Sequence, residues 1–235
     1  MKTLTALIPF FNEQRTIVEL VRQLDALPVG ILNECIFVDD GSTDSTFLLL
    51  SQALIGVHFK SQIISKLNGG KASAIKEGSK FLTTSHVVIL DSDLELATSD
   101  IERLWNIVQS GENDYVFGYR EFLAHSSFTY RYSRGNQLIS NLYGIFFNEV
   151  ITDIMCGYKL VPSEVLKSLP YKYRHFGLEI EIPMQMWLDH KRPFEIDVAY
   201  RARTRAQGKS ISIKDAFNVI TSMASFRLFH RRTKI

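Results

Sequence analysis

Two aspartates two residues apart, in the run Asp91-Ser92-Asp93, are the residues whose types and spacing point most directly to chemistry. They follow His86-Val87-Val88-Ile89-Leu90, so a buried strand would deliver both carboxylates at its end. Two hard oxygen donors there can hold Mg²⁺ or Mn²⁺, ions that share their coordination sphere with substrate phosphates. Glu95 continues the alternation as a candidate third metal ligand. The plain alternative is a solvated acidic turn.

Val38-Asp39-Asp40-Gly41-Ser42-Thr43-Asp44 places further carboxylates after a second apolar run. A carboxylate there can bind the base or ribose of a nucleotide. Helix capping by Ser42 or Asp44 is the structural alternative and leaves the two aspartates before the glycine unexplained. In Asn68-Gly69-Gly70-Lys71 the paired glycines allow close backbone approach, and Lys71 can meet a phosphate; a plain turn is the alternative. Neither G-x-x-x-x-G-K-[ST] nor G-x-G-x-x-G occurs, which argues against a P-loop enzyme or a dinucleotide dehydrogenase.

The elements that must position these groups alternate. Leu4 to Ile8 reads as a strand ended by Pro9, and Glu13 to Leu27 as a helix with apolar residues at Ile17, Leu20, Val21 and Leu24. Cys35 to Val38 is a second strand, Gln62 to Ile64 a third, Lys71 to Phe81 a helix, and His86 to Leu90 a fourth strand. This order predicts an α/β fold with a mostly parallel sheet and helices on both faces. Ligands bind beyond the carboxyl ends of such strands, where Asn12-Glu13, Asp39-Asp40 and Asp91-Ser92-Asp93 all fall. From Tyr115 the pattern changes: a strand at Tyr115 to Gly118, an aromatic-rich helix at Tyr130 to Phe147, short strands, and a last helix from about Ile213.

Pro9-Phe10-Phe11-Asn12-Glu13, the Asp39-Asp40-Gly41-Ser42-Thr43-Asp44 run, Gly69-Gly70-Lys71-Ala72 and Asp91-Ser92-Asp93-Leu94 together resemble family 2 glycosyltransferases of the GT-A fold. The resemblance is strongest to the dolichyl-phosphate mannose synthase and polyprenyl-phosphate sugar transferase branch. It continues through Gly118-Tyr119-Arg120, Arg131 to Asn136, Thr152-Asp153, Gly157-Tyr158-Lys159, Gly177 to Glu181 and Arg205 to Ser210.

That resemblance implies a Rossmann-like GT-A domain over residues 1–210, with a nucleotide-sugar half (1–114) and an acceptor half (115–210). Residues 211–235 would form a C-terminal amphipathic basic helix. Pro9, Phe11, Glu13, Val38 and Asp40 would line the nucleoside pocket. Asp91, Ser92 and Asp93 would handle the donor diphosphate through the metal, with Lys71, Arg120 and Arg205 as further donor contacts. The family often carries G-x-S-K after the second arginine; here Ile211 replaces that lysine and Lys209 lies two residues earlier, as a candidate donor contact. Glu181 matches the family's acidic position better than Glu179 does. The reaction implied is single-displacement inversion at the anomeric carbon, moving one sugar from a UDP- or GDP-sugar.

The acceptor decides whether a base is needed. A polyprenyl phosphate is already ionised, whereas a saccharide hydroxyl would need a carboxylate base. Asp153 is the candidate base, alongside Asp93 as the second catalytic carboxylate; pairing of Asp153 with Lys159 or an arginine is its structural alternative. Arg131 and Arg134, three apart on one helix, are candidate contacts for an acceptor phosphate. A nucleotidyltransferase would want a basic glycine-rich loop where Asn12-Glu13-Gln14 stands, and a non-catalytic nucleotide-sugar binder would tolerate loss of the intact D-x-D.

Composition bounds the rest. The chain has 235 residues, 46% of them apolar and 22% charged, with a net charge of +2, so bulk charge points to no nucleic-acid partner. Two distant cysteines form neither a zinc spacing nor a disulfide framework, and a cytoplasmic setting is the expectation. The apolar run before Pro9 is too short for a signal peptide, and no stretch suits a transmembrane helix. Ala216, Phe217, Val219, Ile220, Met223, Phe226 and Phe229 give the last helix a broad apolar face flanked by Arg227, Arg231, Arg232 and Lys234. That pattern fits peripheral contact with an anionic membrane surface or, alternatively, packing against the domain.

Overall fold

A computed structural model of the chain describes residues 1–121, 130–173, 177–201 and 213–230. In chain order the elements are β1 (Leu4–Phe10), α1 (Ile17–Asp25), β2 (Glu34–Asp39), α2 (Thr46–Ala53), β3 (Lys60–Ser65), α3 (Lys71–Ser79), β4 (His86–Ile89) and α4 (Asp100–Ser110). They continue as β5 (Val116–Arg120), α5 (Tyr130–Phe147), β6 (Lys159–Pro162), α6 (Ser163–Ser168), α7 (Gly177–Leu188), β7 (Phe194–Val198) and α8 (Ile213–Phe229). The strands form one sheet in the order β3-β2-β1-β4-β6-β5-β7. All neighbouring pairs are parallel except those made by β6, which runs against β4 and β5.

Side chains alternate between two cores, as the pleat requires. On one face Leu4, Ala6 and Ile8 of β1, Cys35 and Phe37 of β2 and Val88 of β4 pack with α1, α2 and α4. On the other, Leu7, Ile36, Val38, Val87 and Ile89 pack with α3 and α5 to α8. Buried on both faces, β1, β2 and β4 read as continuous apolar runs rather than alternating ones.

The chain leaves β1 outward through β2 and β3, then returns to β4 on the other side of β1. That reversal opens a crevice beyond the carboxyl ends of β1 and β4. Pro9 does not end β1, contrary to expectation. Parallel pairing continues to Pro9↔Val38 and Phe10↔Asp39, and the Pro9 carbonyl accepts a bond from the Ser92 hydroxyl at 3.1 Å.

In helix α8 most of the apolar face follows the packing alternative. Val219, Met223 and Phe226 of its apolar face are buried in the same core as α5 and α7, with Ala216 and Ile220 partly buried beside them. Of the expected membrane-facing residues only Phe217 and Phe229 are exposed, with Leu228 next to Phe229. On α5, Leu138 and Ile145 are exposed. Among the described residues no helix is long and apolar enough to cross a membrane.

Candidate functional site

Four loops meet at the carboxyl edge of the sheet. Asn12 follows β1 with φ 55° and joins the loop after β2: its backbone N–H donates to Ser42 Oγ at 3.0 Å and its Oδ1 accepts from the Thr43 N–H at 2.8 Å. Gly41 has φ +81°, and a Cβ there would stand 2.9 Å from the backbone nitrogen of Asn68. Only glycine therefore lets the loop after β2 pack against the loop after β3.

Asp40 locks those two loops together. It is 4% exposed and accepts from the Gly69 N–H at 3.0 Å, the Gly70 N–H at 2.7 Å and Lys66 Nζ at 2.6 Å. Asp39 accepts from the Ser42 N–H at 2.8 Å. The capping expected of Ser42 or Asp44 takes a different form: Asp44 accepts from the Thr46 N–H at 3.0 Å and from the Thr46 hydroxyl, while Ser42 serves Asn12.

The residues expected to line the nucleoside pocket differ in exposure. Val38 is fully buried against Gly78 of α3, so its side chain lines no pocket. Pro9 is also buried. The Asp40 carboxylate is turned to the glycine loop. Phe11 is 44% exposed at the open end of β1. Glu13 is half-buried, and its carboxylate accepts from the Thr16 hydroxyl at 2.8 Å.

The centre of the crevice is Lys71, the first residue of α3. Its ammonium lies 2.7 Å from Asp91 Oδ1 and 3.0 Å from Glu179 Oε1 of α7. Burial alone would lower its pKa, but the two carboxylates outweigh burial and hold it above the usual lysine range. Glu179 Oε2 is buried with no hydrogen-bond partner among the described residues. Lys71, Glu179, Gly157 and Lys159 line one recess with Ile89, Leu178 and Ile182. Gly157 is there for space: a Cβ would stand 2.7 Å from Asp91 Oδ2 and 3.3 Å from Lys71 Nζ.

Because β6 is antiparallel, its first residue, Lys159, pairs with Ile89 at the carboxyl end of β4. Lys159 is buried, donates to the carbonyls of Ile154 (3.0 Å) and Cys156, and stands over the Phe117 ring. Burial pushes its pKa below the usual lysine value, against the field of Glu179. Glu181, two residues beyond Glu179, is also buried, and accepts from the Lys172 N–H at 2.8 Å.

The metal ligands expected at Asp91, Asp93 and Glu95 do not form a trio. No group of three or more His, Cys, Asp or Glu able to hold a metal ion occurs among the described residues. Leu94 takes φ 60°, and the Glu95 carboxylate accepts from the Tyr200 hydroxyl at 2.8 Å, beside the Leu96↔Tyr200 bridge. Asp91 and Asp93 remain as a set of hard oxygen donors. Such a pair suits a divalent ion that takes its other ligands from a diphosphate and water. Asp93 Oδ1 accepts from the Glu95 N–H at 3.1 Å, and Ser92 is buried with its hydroxyl on Pro9. The Ser92 side chain thus fixes the D-x-D turn rather than presenting itself to a donor.

Arg120 and Asp153, expected at the donor and acceptor, are paired to each other. Arg120 Nε lies 2.6 Å from Asp153 Oδ2 and Nη2 lies 3.0 Å from Oδ1, with both residues buried. Arg120 also stands over the Tyr200 ring. The Thr152 N–H before Asp153 donates to Glu195 at 2.9 Å. Arg134 is on the exposed face of α5, with Nη1 3.1 Å from Gln137 Oε1. Arg205, Lys209 and the Arg131 side chain lie outside the described residues.

Sequence reasoning passed over Glu179 as a ligand-side group, and over the roles of Lys159 and Gly157. One signal was available: Glu179 and Glu181 are the only charged residues in the Gly177–Leu188 helix.

The mostly parallel sheet with one inserted antiparallel strand, and an acidic D-x-D at its carboxyl edge, defines a GT-A glycosyltransferase. Residues 5–169 match Glycosyl transferase family 2, and the chain belongs to that family. It is 33% identical over 209 residues to the undecaprenyl-phosphate 4-deoxy-4-formamido-L-arabinose transferase of an Enterobacter species, covering 87% of this chain and 62% of that protein. It is 26% identical over 238 residues to the dodecaprenyl-phosphate galacturonate synthase of Rhizobium johnstonii, covering 97% and 67%. An uncharacterised protein of Methanocaldococcus jannaschii is 28% identical over 198 residues, covering 73% and 78%. The match to the Klebsiella pneumoniae arabinose transferase spans only 33% of that protein, so the chain covers between a third and two thirds of its polyprenyl-phosphate relatives. In fold it superposes on Mycobacterium tuberculosis glucosyl-3-phosphoglycerate synthase, crystallised with Mn²⁺, UDP and phosphoglyceric acid. The TM-score is 0.75 at 20% identity, covering 96% of this chain and 78% of that one.

Proposed function

We propose that this chain moves one sugar from a nucleotide-diphosphate sugar to a polyprenyl phosphate, with inversion at the anomeric carbon. The names of the bacterial relatives support the acceptor class. The observation that carries the choice is the closed pair Arg120–Asp153. The carboxylate suited to activating a hydroxyl is buried and bonded to a guanidinium, which fits an acceptor that arrives already ionised.

The site supplies the other parts. Phe11 offers an exposed aromatic face to a base beside the loops that Asp40 joins. Lys71 and Glu179, joined at 3.0 Å beside Asp91, are groups suited to a sugar's hydroxyls. A donor phosphate at Asp91 would also meet Lys71, whose charge would favour the departing nucleoside diphosphate. Asp91 and Asp93 would hold Mg²⁺ or Mn²⁺, which when bound neutralises charge on the leaving diphosphate. Arg205 and Lys209 are proposed donor contacts, and Arg131 and Arg134 proposed acceptor contacts. Residues 1–114 would serve mainly the donor and 115–210 the acceptor. Peripheral attachment at the cytoplasmic face of a membrane, through the exposed Phe217, Leu228 and Phe229, would bring α5 and α8 to a lipid acceptor.

The test incubates the protein with labelled UDP- and GDP-sugars and either a short polyprenyl phosphate or a panel of oligosaccharides. Label that extracts into organic solvent and is released by mild acid is the expected result. Label only on oligosaccharide overturns the acceptor and leaves the glycosyltransferase class standing.

A further inference from the structure

We propose that Lys71 is the resident counter-ion of Asp91 and thereby makes divalent-cation binding depend on the donor. The inference rests on the reading that Asp91 and Asp93 hold the cation. Both Asp91 oxygens are engaged by one ammonium, Oδ1 at 2.7 Å and Oδ2 at 3.0 Å. A divalent ion entering at Asp91 must therefore share that carboxylate with a positive charge or displace it, and like charges at such separations repel strongly.

The surroundings give Lys71 a defined alternative position. Its backbone is the start of α3, which is fixed by Ala74 and Ile75 in the core. Its side chain is a flexible four-carbon stem carrying three donors, one of which already reaches Glu179 Oε1 at 3.0 Å. The backbone at Gly157 closes one side of the pair. Lys159, buried in the same recess, adds a second positive charge that stays tied to two carbonyls. An arriving diphosphate offers Lys71 new anionic partners while Glu179 retains its hold, and Asp91 is released toward the metal. Metal and donor then bind with positive coupling, each raising the other's affinity by the same factor.

The coupling is measurable without turnover. Mn²⁺ binding is followed by electron paramagnetic resonance in the wild type and in Lys71→Met, Lys71→Gln and Lys71→Arg, with and without UDP or GDP. Without nucleotide, the Met and Gln variants are expected to bind Mn²⁺ on the order of 10-fold tighter than wild type, and the Arg variant to stay near wild type. The gain in Mn²⁺ affinity on adding nucleotide is expected to be larger in wild type than in the neutral variants. Lys71→Gln keeps a donor between the two carboxylates and serves if Lys71→Met does not fold. Wild-type Mn²⁺ affinity in both neutral variants, or an Arg variant that without nucleotide binds Mn²⁺ as much tighter as they do, overturns the proposal. No Mn²⁺ binding to wild type even with nucleotide present overturns the metal reading itself, a separate result.

Discussion

Arg120 closes a two-point contact on Asp153, 2.6 Å from Nε to Oδ2 and 3.0 Å from Nη2 to Oδ1, and the Asp153 side chain is wholly excluded from solvent. The pair joins the end of β5 to the loop before β6, and that loop also carries Gly157 to Asp91.

Asp153→Asn removes the carboxylate charge that is paired with the buried Arg120 guanidinium. The expected loss is about 3–5 kcal/mol of stability, or a melting temperature lower by roughly 6–20 °C for a domain of this size. Thermal unfolding followed by circular dichroism measures it. An unchanged melting temperature with transfer abolished would instead make Asp153 a catalytic base.

Asp93→Asn keeps an oxygen to accept the Glu95 N–H and removes the charge. Transfer should fall on the order of 100-fold or more, with the melting temperature within about 2 °C of wild type, a change of under ~1 kcal/mol. EDTA should abolish wild-type transfer, and Mg²⁺ or Mn²⁺ should restore it. Full activity after exhaustive chelation would remove the metal from the reaction.

Asp40→Ala strips the acceptor from two glycine N–H groups and from the Lys66 ammonium. Both stability and donor affinity should fall, the first by about 3 kcal/mol, because the glycine loop that begins α3 loses its clasp. Urea unfolding and donor KM are the readouts. A raised KM at wild-type stability would show instead that Asp40 acts on the nucleotide alone.

His86 lies at the opposite edge of the sheet, packed edge-on against Trp105, with Nε2 3.3 Å from Asp114. Burial holds its pKa below the ordinary histidine value, the more so for the field of Lys2, although Asp114 acts in the other direction. Below about pH 6.5 the unfolded chain takes up a proton that the folded one refuses. The contribution of His86 to stability is thus present at neutral pH and lost as pH falls from 7 toward 5. His86→Gln should flatten that slope in urea titrations; an identical slope in the variant would mean that other groups produce it.

The elements from β1 to β4, and the placing of Asp91 and Asp93 at a strand end, are legible in the sequence for a local reason. Continuous apolar runs mark strands buried on both faces, and the residues that follow them fall at the ligand edge of a parallel sheet. Ser92, Val38 and Asp40 were harder to read, because a motif names a residue without saying which way its side chain turns; here pairing with Pro9, the α3 core and the glycine loop decides that. The antiparallel setting of β6 brings Lys159 and Gly157 to β4, and nothing in the four-residue strand Lys159–Pro162 encodes that direction locally. The contact of Lys71 with Glu179 spans 108 residues, and that of Arg120 with Asp153 spans 33. Buried charges find whichever opposite charge the packed core leaves within reach, so their partners follow from tertiary structure alone.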